Sequence, residues 1–143
     1  MGTKLGSCGA APRSGRPRPY VKVVTVNTAT KAITSQPDIW NQSAAFAYPA
    51  CAPNSNGQLG VAMFYGGGAR HPTHVVGIRD GATWRLVVTR TSTHGPTGNR
   101  WGDYINVRPH SPQATTWVAS GYTMQGGTDR RNVEPQYVHF RAV

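Results

Sequence analysis

The chain has 143 residues and a formal net charge of +10 at pH 7, because 15 Lys and Arg outnumber 5 Asp and Glu. This length suits one domain with its own core, and no apolar run approaches the roughly 20 residues that a membrane-spanning helix needs. Seventeen Gly and eleven Pro interrupt the chain throughout, which favours short strands and turns over helices.

The positive charge attracts polyanions without sequence preference. The basic residues of the strand-like segments are nevertheless scattered rather than aligned on one stripe. They are Lys22, Arg79, Arg85, Arg90, Arg108 and Arg141. The pattern indicates a generally basic, solvated surface, and a nonspecific nucleic-acid-binding module stays as an alternative function.

Residues 1–18 contain Gly, Pro and basic residues with only two sizeable apolar side chains, Met1 and Leu5, which predicts a disordered basic tail. The segment lacks the apolar region of a secretory signal. A secreted parent protein would therefore need a start upstream of Met1, and the localisation of this chain stays open.

The cysteines and histidines predict no metal, cofactor or redox site. Cys8 in the tail and Cys51 in a strand do not make a disulfide framework, and no CxxC spacing is present. The histidines, at positions 71, 74, 94, 110 and 139, show no HExxH pattern.

From Pro19 onward the pattern is strand, turn, strand. Residues 19–40 contain a hairpin of Tyr20–Asn27 and Ala32–Ser35. Residues 45–90 contain four strands with short links, which predicts a meandering sheet of Ala45–Asn54, Leu59–Tyr65, Thr73–Arg79 and Thr83–Arg90. Residues 103–143 contain three more strands, at Asp103–His110, Thr115–Met124 and Gln136–Val143.

Two of these sheets repeat one another with a period near 57 residues, since Val61 and Tyr65 recur as Val118 and Tyr122. The strand Leu59–Tyr65 is apolar on both alternating faces, as expected for a sheet stacked between two others. Stacked four-stranded sheets are typical of β-propeller blades. We therefore predict an all-β, open partial propeller made of a half blade (19–40), a full blade (45–90) and a three-stranded blade (103–143). A β-sandwich of the same strands is the alternative.

The run GIRDGATWRL resembles a degenerate Asp-box, the turn between the third and fourth strands of blades in sialidase-like (BNR-repeat) propellers. Asp80, Gly81, Thr83 and Trp84 match the motif, whereas Ile78 replaces its Ser or Thr and one residue is missing after Asp80. The runs AYPACAPNSNGQLGVAMFYGGG and NRWGDYINVRPH resemble closing blades of such bacterial, usually exported, proteins. The resemblance spans residues 19–143. It implies structural roles, with Asp80 holding its own turn and Trp84 packing between blades.

In propellers of this family, the loop before the first strand of a blade reaches the face that carries the site. The candidate ligand-binding residues are therefore Arg100, Trp101, Asp103 and Tyr104. Arg100 is suited to a substrate carboxylate, Trp101 to a sugar face, and Asp103 to general acid chemistry or a sugar hydroxyl. The alternative is purely local, with Trp101 packing between blades and Asp103 capping or pairing nearby.

The full catalytic set of a sialidase cannot be matched, because the chain has one Glu, Glu134, and no FRIP-like motif. We therefore expect a sialidase-like propeller segment that is noncatalytic alone and belongs to a protein facing glycans or other polymers. The alternative is part of a glycosidase whose catalytic residues lie in other blades. The strand count also predicts an open fragment that self-associates, unless Tyr20–Asn27 supplies a fourth strand to the last sheet.

Overall fold

The computed structural model describes residues 4–142, and in this range it consists of β-strands with two single-turn 3-10 helices, Thr97–Asn99 and Arg130–Asn132. The strands form three antiparallel sheets. The first sheet contains β1 (Lys4–Ala11), β2 (Tyr20–Asn27), β3 (Ile33–Ser35) and β4 (Asp38–Ile39). The central sheet contains β5 (Ala45–Pro53), β6 (Leu59–Gly67), β7 (Arg70–Asp80) and β8 (Thr83–Arg90). The third sheet contains β9 (Asn106–Pro109), β10 (Trp117–Met124) and β11 (Val133–Phe140). None of the helices in the described range is long and apolar enough to cross a membrane.

The central sheet is a meander in the order β5-β6-β7-β8, as its short links predict. Its two tightest turns depend on glycines with positive φ, which residues with a Cβ rarely adopt. Gly68 (φ 66°) lies in the turn between β6 and β7, and Gly81 (φ 57°) lies in the turn between β7 and β8. The Thr83 hydroxyl donates a hydrogen bond of 3.0 Å to the Asp80 carbonyl and closes the second turn.

The first sheet corrects the prediction of a disordered tail over residues 1–18. Residues 4–11 form β1, which pairs with β2 along its whole length, while residues 1–3 lie outside the described residues. Leu5 is 61% exposed, so this strand is not anchored by a large side chain. Backbone pairing with β2 holds the strand instead. The strand also packs closely against Leu59 of β6, because residue 6 is Gly and a Cβ there would be 3.1 Å from the Leu59 Cδ1. Because β2 is the centre of this sheet, it does not supply a fourth strand to the third sheet.

The three sheets are stacked, with the central sheet in the middle. One core lies between the first and central sheets and contains Val21, Val23, Ile39, Phe46, Val61, Met63 and Val75. The other core lies between the central and third sheets and contains Ala62, Val76, Ile78, Val107, Trp117 and Ala119. Successive residues of β6 therefore enter opposite cores, which explains why that strand is apolar on both faces. Among the described residues the stack stays open and closes into neither a barrel nor a ring. The structure has three sheets, whereas the β-sandwich alternative requires two.

The register of the repeat differs by one residue from the sequence prediction. Pro53 pairs with Leu59, and Pro109 pairs with Trp117, so Trp117 is the structural counterpart of Leu59. Ala119, rather than Val118, then corresponds to Val61, and both lie on the face toward the preceding sheet. A slip of one residue exchanges the two faces of a strand. The predicted match of Val61 with Val118 was therefore wrong.

Trp117 is the largest side chain between the central and third sheets and is fully buried. Its Nε1 donates a hydrogen bond of 2.9 Å to the Ala52 carbonyl, and its ring stacks on Phe140. The indole lies against Gly60, where an added Cβ would be only 2.7 Å from the ring. This side chain thus joins β10 to β5 and β6 of the central sheet.

We expect Trp117→Ala to lower the free energy of unfolding by about 3–5 kcal/mol, because it empties a buried site that neighbouring strands cannot refill. Urea denaturation measures this loss. Trp117→Phe should cost less, since it keeps an aromatic ring in the site and loses the indole hydrogen bond and part of the contact with Gly60. Trp40→Ala, at a side chain that is 43% exposed, is the matched control. A loss below about 1 kcal/mol for Trp117→Ala would contradict the stacked arrangement.

Candidate functional site

An aromatic cluster lies where β6, β10 and the connection between β8 and β9 meet. The Trp101 ring stacks on Tyr122, with centroids 4.8 Å apart and planes inclined by 20°. The Phe64 ring meets both of them edge to face, at 5.3 Å from Trp101 and 5.0 Å from Tyr122. Edge-to-face and offset-stacked contacts are the favoured geometries for aromatic rings. The central sheet, the third sheet and the connecting loop therefore each contribute one ring.

The backbone of Gly102 holds this arrangement in place. Its N–H donates to the Tyr122 hydroxyl at 2.8 Å, and the same hydroxyl donates to the Gly102 carbonyl at 2.9 Å. A Cβ at Gly102 would lie 2.9 Å from the Tyr104 ring. Glycine at this position therefore lets Tyr122 and Tyr104 approach the loop from two sides.

The remainder of the connection is fastened to both sheets by hydrogen bonds. The Ser92 hydroxyl donates to the Pro72 carbonyl and accepts from the Met124 N–H at 3.1 Å, thereby linking β7 to the end of β10. The Thr93 N–H donates to the Met124 carbonyl at 2.9 Å. These bonds determine where the loop crosses, and hence where Trp101 lies.

Beside the cluster is a groove of about 720 Å³, hereafter the aromatic groove. Its lining is mainly apolar and comes from the connection and from strands β10 and β11. The lining residues used below are Arg100, Trp101, Tyr104, Tyr122, Val133 and Pro135. Tyr104 is 80% exposed, and the Trp101 Nε1 is buried with no hydrogen-bond partner in the described structure. A second cavity of about 140 Å³, lined by Tyr48 and Phe64, also reaches Trp101.

Three of the four candidate residues predicted from the sequence line the aromatic groove: Arg100, Trp101 and Tyr104. Asp103 is exposed and does not line it. The prediction missed Tyr122 and Phe64, which form the platform under Trp101. In the sequence repeat Tyr122 is matched only with Tyr65, and the observed register shows that this match is wrong.

The acidic residues of the chain are largely engaged in ion pairs. Asp38 pairs with Arg16 and Lys22, Asp80 with Arg85, Asp129 with Arg131, and Glu134 with Arg90. Because the chain has 5 Asp and Glu, Asp103 alone lies outside the ion pairs of the described residues. Glycoside hydrolysis usually needs two carboxyl groups flanking one bond.

The Asp-box-like turn has a structural arrangement, but one that differs from the motif's usual one. The Asp80 carboxylate pairs with Arg85 Nη2 at 2.7 Å on the exposed edge of the sheet. The Arg79 Nε, in turn, donates to the Gly81 carbonyl at 3.2 Å. Trp84 packs at the margin of the core between the first and central sheets.

His74 lies beneath the aromatic cluster and is fully buried. Its Nδ1 lies 2.9 Å from the Thr89 hydroxyl, which itself donates to the His74 carbonyl, so Nδ1 carries the proton of the neutral ring. Its Nε2 faces Gly121, where a Cβ would be 2.7 Å away. Burial lowers the pKa of His74 from its ordinary 6.5 to about 4. Within residues 4–142, no three His, Cys, Asp or Glu side chains are grouped as metal ligands.

We expect the free energy of unfolding to fall as the pH decreases from about 6.5 to about 4. In this window the unfolded chain binds a proton at His74 and the folded chain does not, so acid favours unfolding by up to about 3 kcal/mol. Urea titrations at several pH values measure the slope. His74→Gln should flatten it, whereas His71→Gln, at an exposed histidine, should leave it unchanged. An identical slope in both variants would contradict a buried neutral His74.

No protein-family model, no curated protein and no solved structure significantly matches this chain.

Proposed function

We propose that this chain is a noncatalytic segment of a sialidase-like β-propeller and binds a glycan in the aromatic groove. The observation that carries the proposal is the stacked pair of Trp101 and Tyr122 lining a groove that Arg100 also lines. Large apolar clefts with a few placed polar groups are the usual form of small-molecule sites.

Each of these side chains suits one part of an acidic sugar. An indole offers a flat apolar face to the C–H surface of a sugar ring, and its N–H seeks an acceptor when it is buried. The Nε1 of Trp101 is itself buried and has no hydrogen-bond partner in the described structure, so the sugar contact assigned to Trp101 is its flat ring face. Arg100 is exposed and offers a planar fork of donors that matches a carboxylate. A sialylated or uronic-acid-containing glycan is therefore the preferred ligand class.

The chemistry of the groove favours binding over turnover. Asp103, the one carboxylate outside the ion pairs of the described residues, does not line the groove, whereas glycosidases usually need two carboxyl groups flanking the bond. Burial raises the pKa of the Tyr122 hydroxyl, and Gly102 engages it through two hydrogen bonds. A tyrosine nucleophile needs the opposite shift, toward the phenolate. The glycosidase alternative thus requires catalytic residues from elsewhere in a parent protein.

The blade assignment is supported by the way the sheets stack. The first strands of the three sheets are neighbours, with β1 beside β5 and β5 beside β9. On the open face of the third sheet, β11 presents Tyr137 at 69% exposure, whereas Val133 of the same strand lines the aromatic groove. Apolar side chains on an uncovered sheet suit contact with a further sheet, supplied by a parent protein or by a second copy.

Trp101→Ala should weaken binding to an acidic oligosaccharide by at least about tenfold, the usual loss when a central aromatic anchor is truncated. Calorimetric titration with sialyllactose measures the change in affinity. A titration with lactose measures the affinity for the same sugar without the carboxylate. Arg100→Gln should reduce the affinity for sialyllactose and spare any affinity for lactose. Trp40→Ala and Arg108→Gln are matched controls at exposed positions.

Three results would contradict this proposal. One is an absence of binding to both sugars by the wild-type chain. Another is binding that is equal in Trp101→Ala and falls steeply with salt, which would indicate a general polyanion surface and the nucleic-acid alternative. Turnover of an aryl sialoside by the chain alone would overturn the noncatalytic assignment.

We expect the purified chain to self-associate through the open face of β11. Light scattering over a concentration series measures the molecular mass, and Tyr137→Ser should shift the chain toward monomer because it removes apolar area from that face. Ile33→Ser, which removes an apolar side chain that is 56% exposed on β3 of the first sheet, is the control. A wild-type monomer that binds no hydrophobic dye would contradict the blade assignment.

A further inference from the structure

The two cysteines, 43 positions apart in the sequence, point into the same interface. Cys8 lies on β1 opposite Val23, and Cys51 lies on β5 opposite Val61. Both valines are fully buried in the core between the first and central sheets, and both cysteines pack against that core. Because cross-strand partners share a face, the thiols approach each other from opposite sheets.

The two thiols lie on the neighbouring strands β1 and β5, close enough to affect each other's pKa. They interact as hydrogen-bond partners, which raises the pKa of Cys8 and lowers the pKa of Cys51. Of the two thiols, Cys51 is therefore the one that ionises first. Both residues are partly exposed and neither is bonded to another cysteine. A thiolate that reagents can reach, next to a second thiol, is the arrangement typical of an oxidisable pair.

We propose that Cys8 and Cys51 are a modification site at which a small-molecule disulfide oxidises the pair to an intrachain bond between β1 and β5. The Cys51 sulfur attacks the reagent, forms a mixed disulfide and releases one thiolate. The Cys8 thiol then gives up its proton and attacks the Cys51 sulfur, which expels the second thiolate. The protein loses two electrons and two protons, and the reagent leaves as two thiols.

The bond would hold an edge strand of the first sheet against the central sheet. Strand β1 has a backbone partner on one side only, β2, and its side chains toward the central sheet are small, as at Gly6 and Cys8. A covalent link to β5 closes a chain loop of about forty residues and removes freedom from the unfolded state. Oxidation therefore stabilises the N-terminal strand against the stack, independently of the aromatic groove.

Oxidised glutathione is the probe for this proposal. After incubation, the wild-type chain should lose about 2 Da by intact mass and yield a Cys8–Cys51 peptide in nonreducing digests. The melting temperature should rise by roughly 10 °C, reversibly with dithiothreitol. Amide hydrogens of β1 should exchange at least about tenfold more slowly in the oxidised chain, whereas those of β8 change little.

Single variants separate an intrachain bond from ordinary thiol reactivity. Cys8→Ser should accumulate a stable glutathione adduct at Cys51, because the resolving thiol is gone. In Cys51→Ser, any glutathione adduct formed at Cys8 should likewise stay unresolved, because the second thiol is gone. Stable glutathione adducts at both positions of the wild-type chain would overturn the proposal, as would disulfides formed only between chains. Failure of this test leaves the glycan-binding proposal unaffected, because the groove contains neither cysteine.

Discussion

The contact between Trp117 and Gly60 is the constraint on which the arrangement of the sheets depends. The indole occupies space that any side chain at Gly60 would fill, and its Nε1 is bonded to the Ala52 carbonyl. This contact brings β10 close to β5 and β6 and determines the height of the third sheet over the central one. Tyr122, further along β10, consequently meets Phe64 of β6. Near the groove, β10 approaches the central sheet equally closely at Gly121, which lies against the buried His74 ring and leaves no room for a Cβ.

The aromatic groove is a consequence of this stacking rather than a property of one loop. Trp101 belongs to an irregular connection, yet Tyr122 supports it from the third sheet and Phe64 from the central sheet. Burial raises the pKa of the Tyr122 hydroxyl although the hydrogen bond with Gly102 lowers it, and the two hydrogen bonds to Gly102 hold the ring in place. Such a surface suits recognition, in which flat faces and fixed donors matter more than a reactive group.

The interface between the first and central sheets obeys the same physical rule with smaller side chains. Gly6 and Cys8 allow β1 to pack directly over β5 and Leu59, at the expense of apolar anchoring. Composition alone made this segment resemble a disordered tail, because its side chains bury little area. The backbone ladder with β2 provides what the side chains do not. The same close approach brings the two thiols together.

The sequence by itself determined the number and order of the strands in the central and third sheets, the glycine turns and the burial of β6 on both faces, although β11 begins three residues before its predicted start at Gln136. These features follow from local alternation and turn chemistry, and β8 was predicted to the residue at Thr83–Arg90. It also identified Arg100, Trp101 and Tyr104 as site candidates. Only the tertiary structure decided the pairing of β1, the register of the repeat, the platform under Trp101 and the meeting of Cys8 with Cys51. Each of these depends on which faces of distant strands come together, and a one-residue slip that leaves the strand pattern intact exchanges those faces.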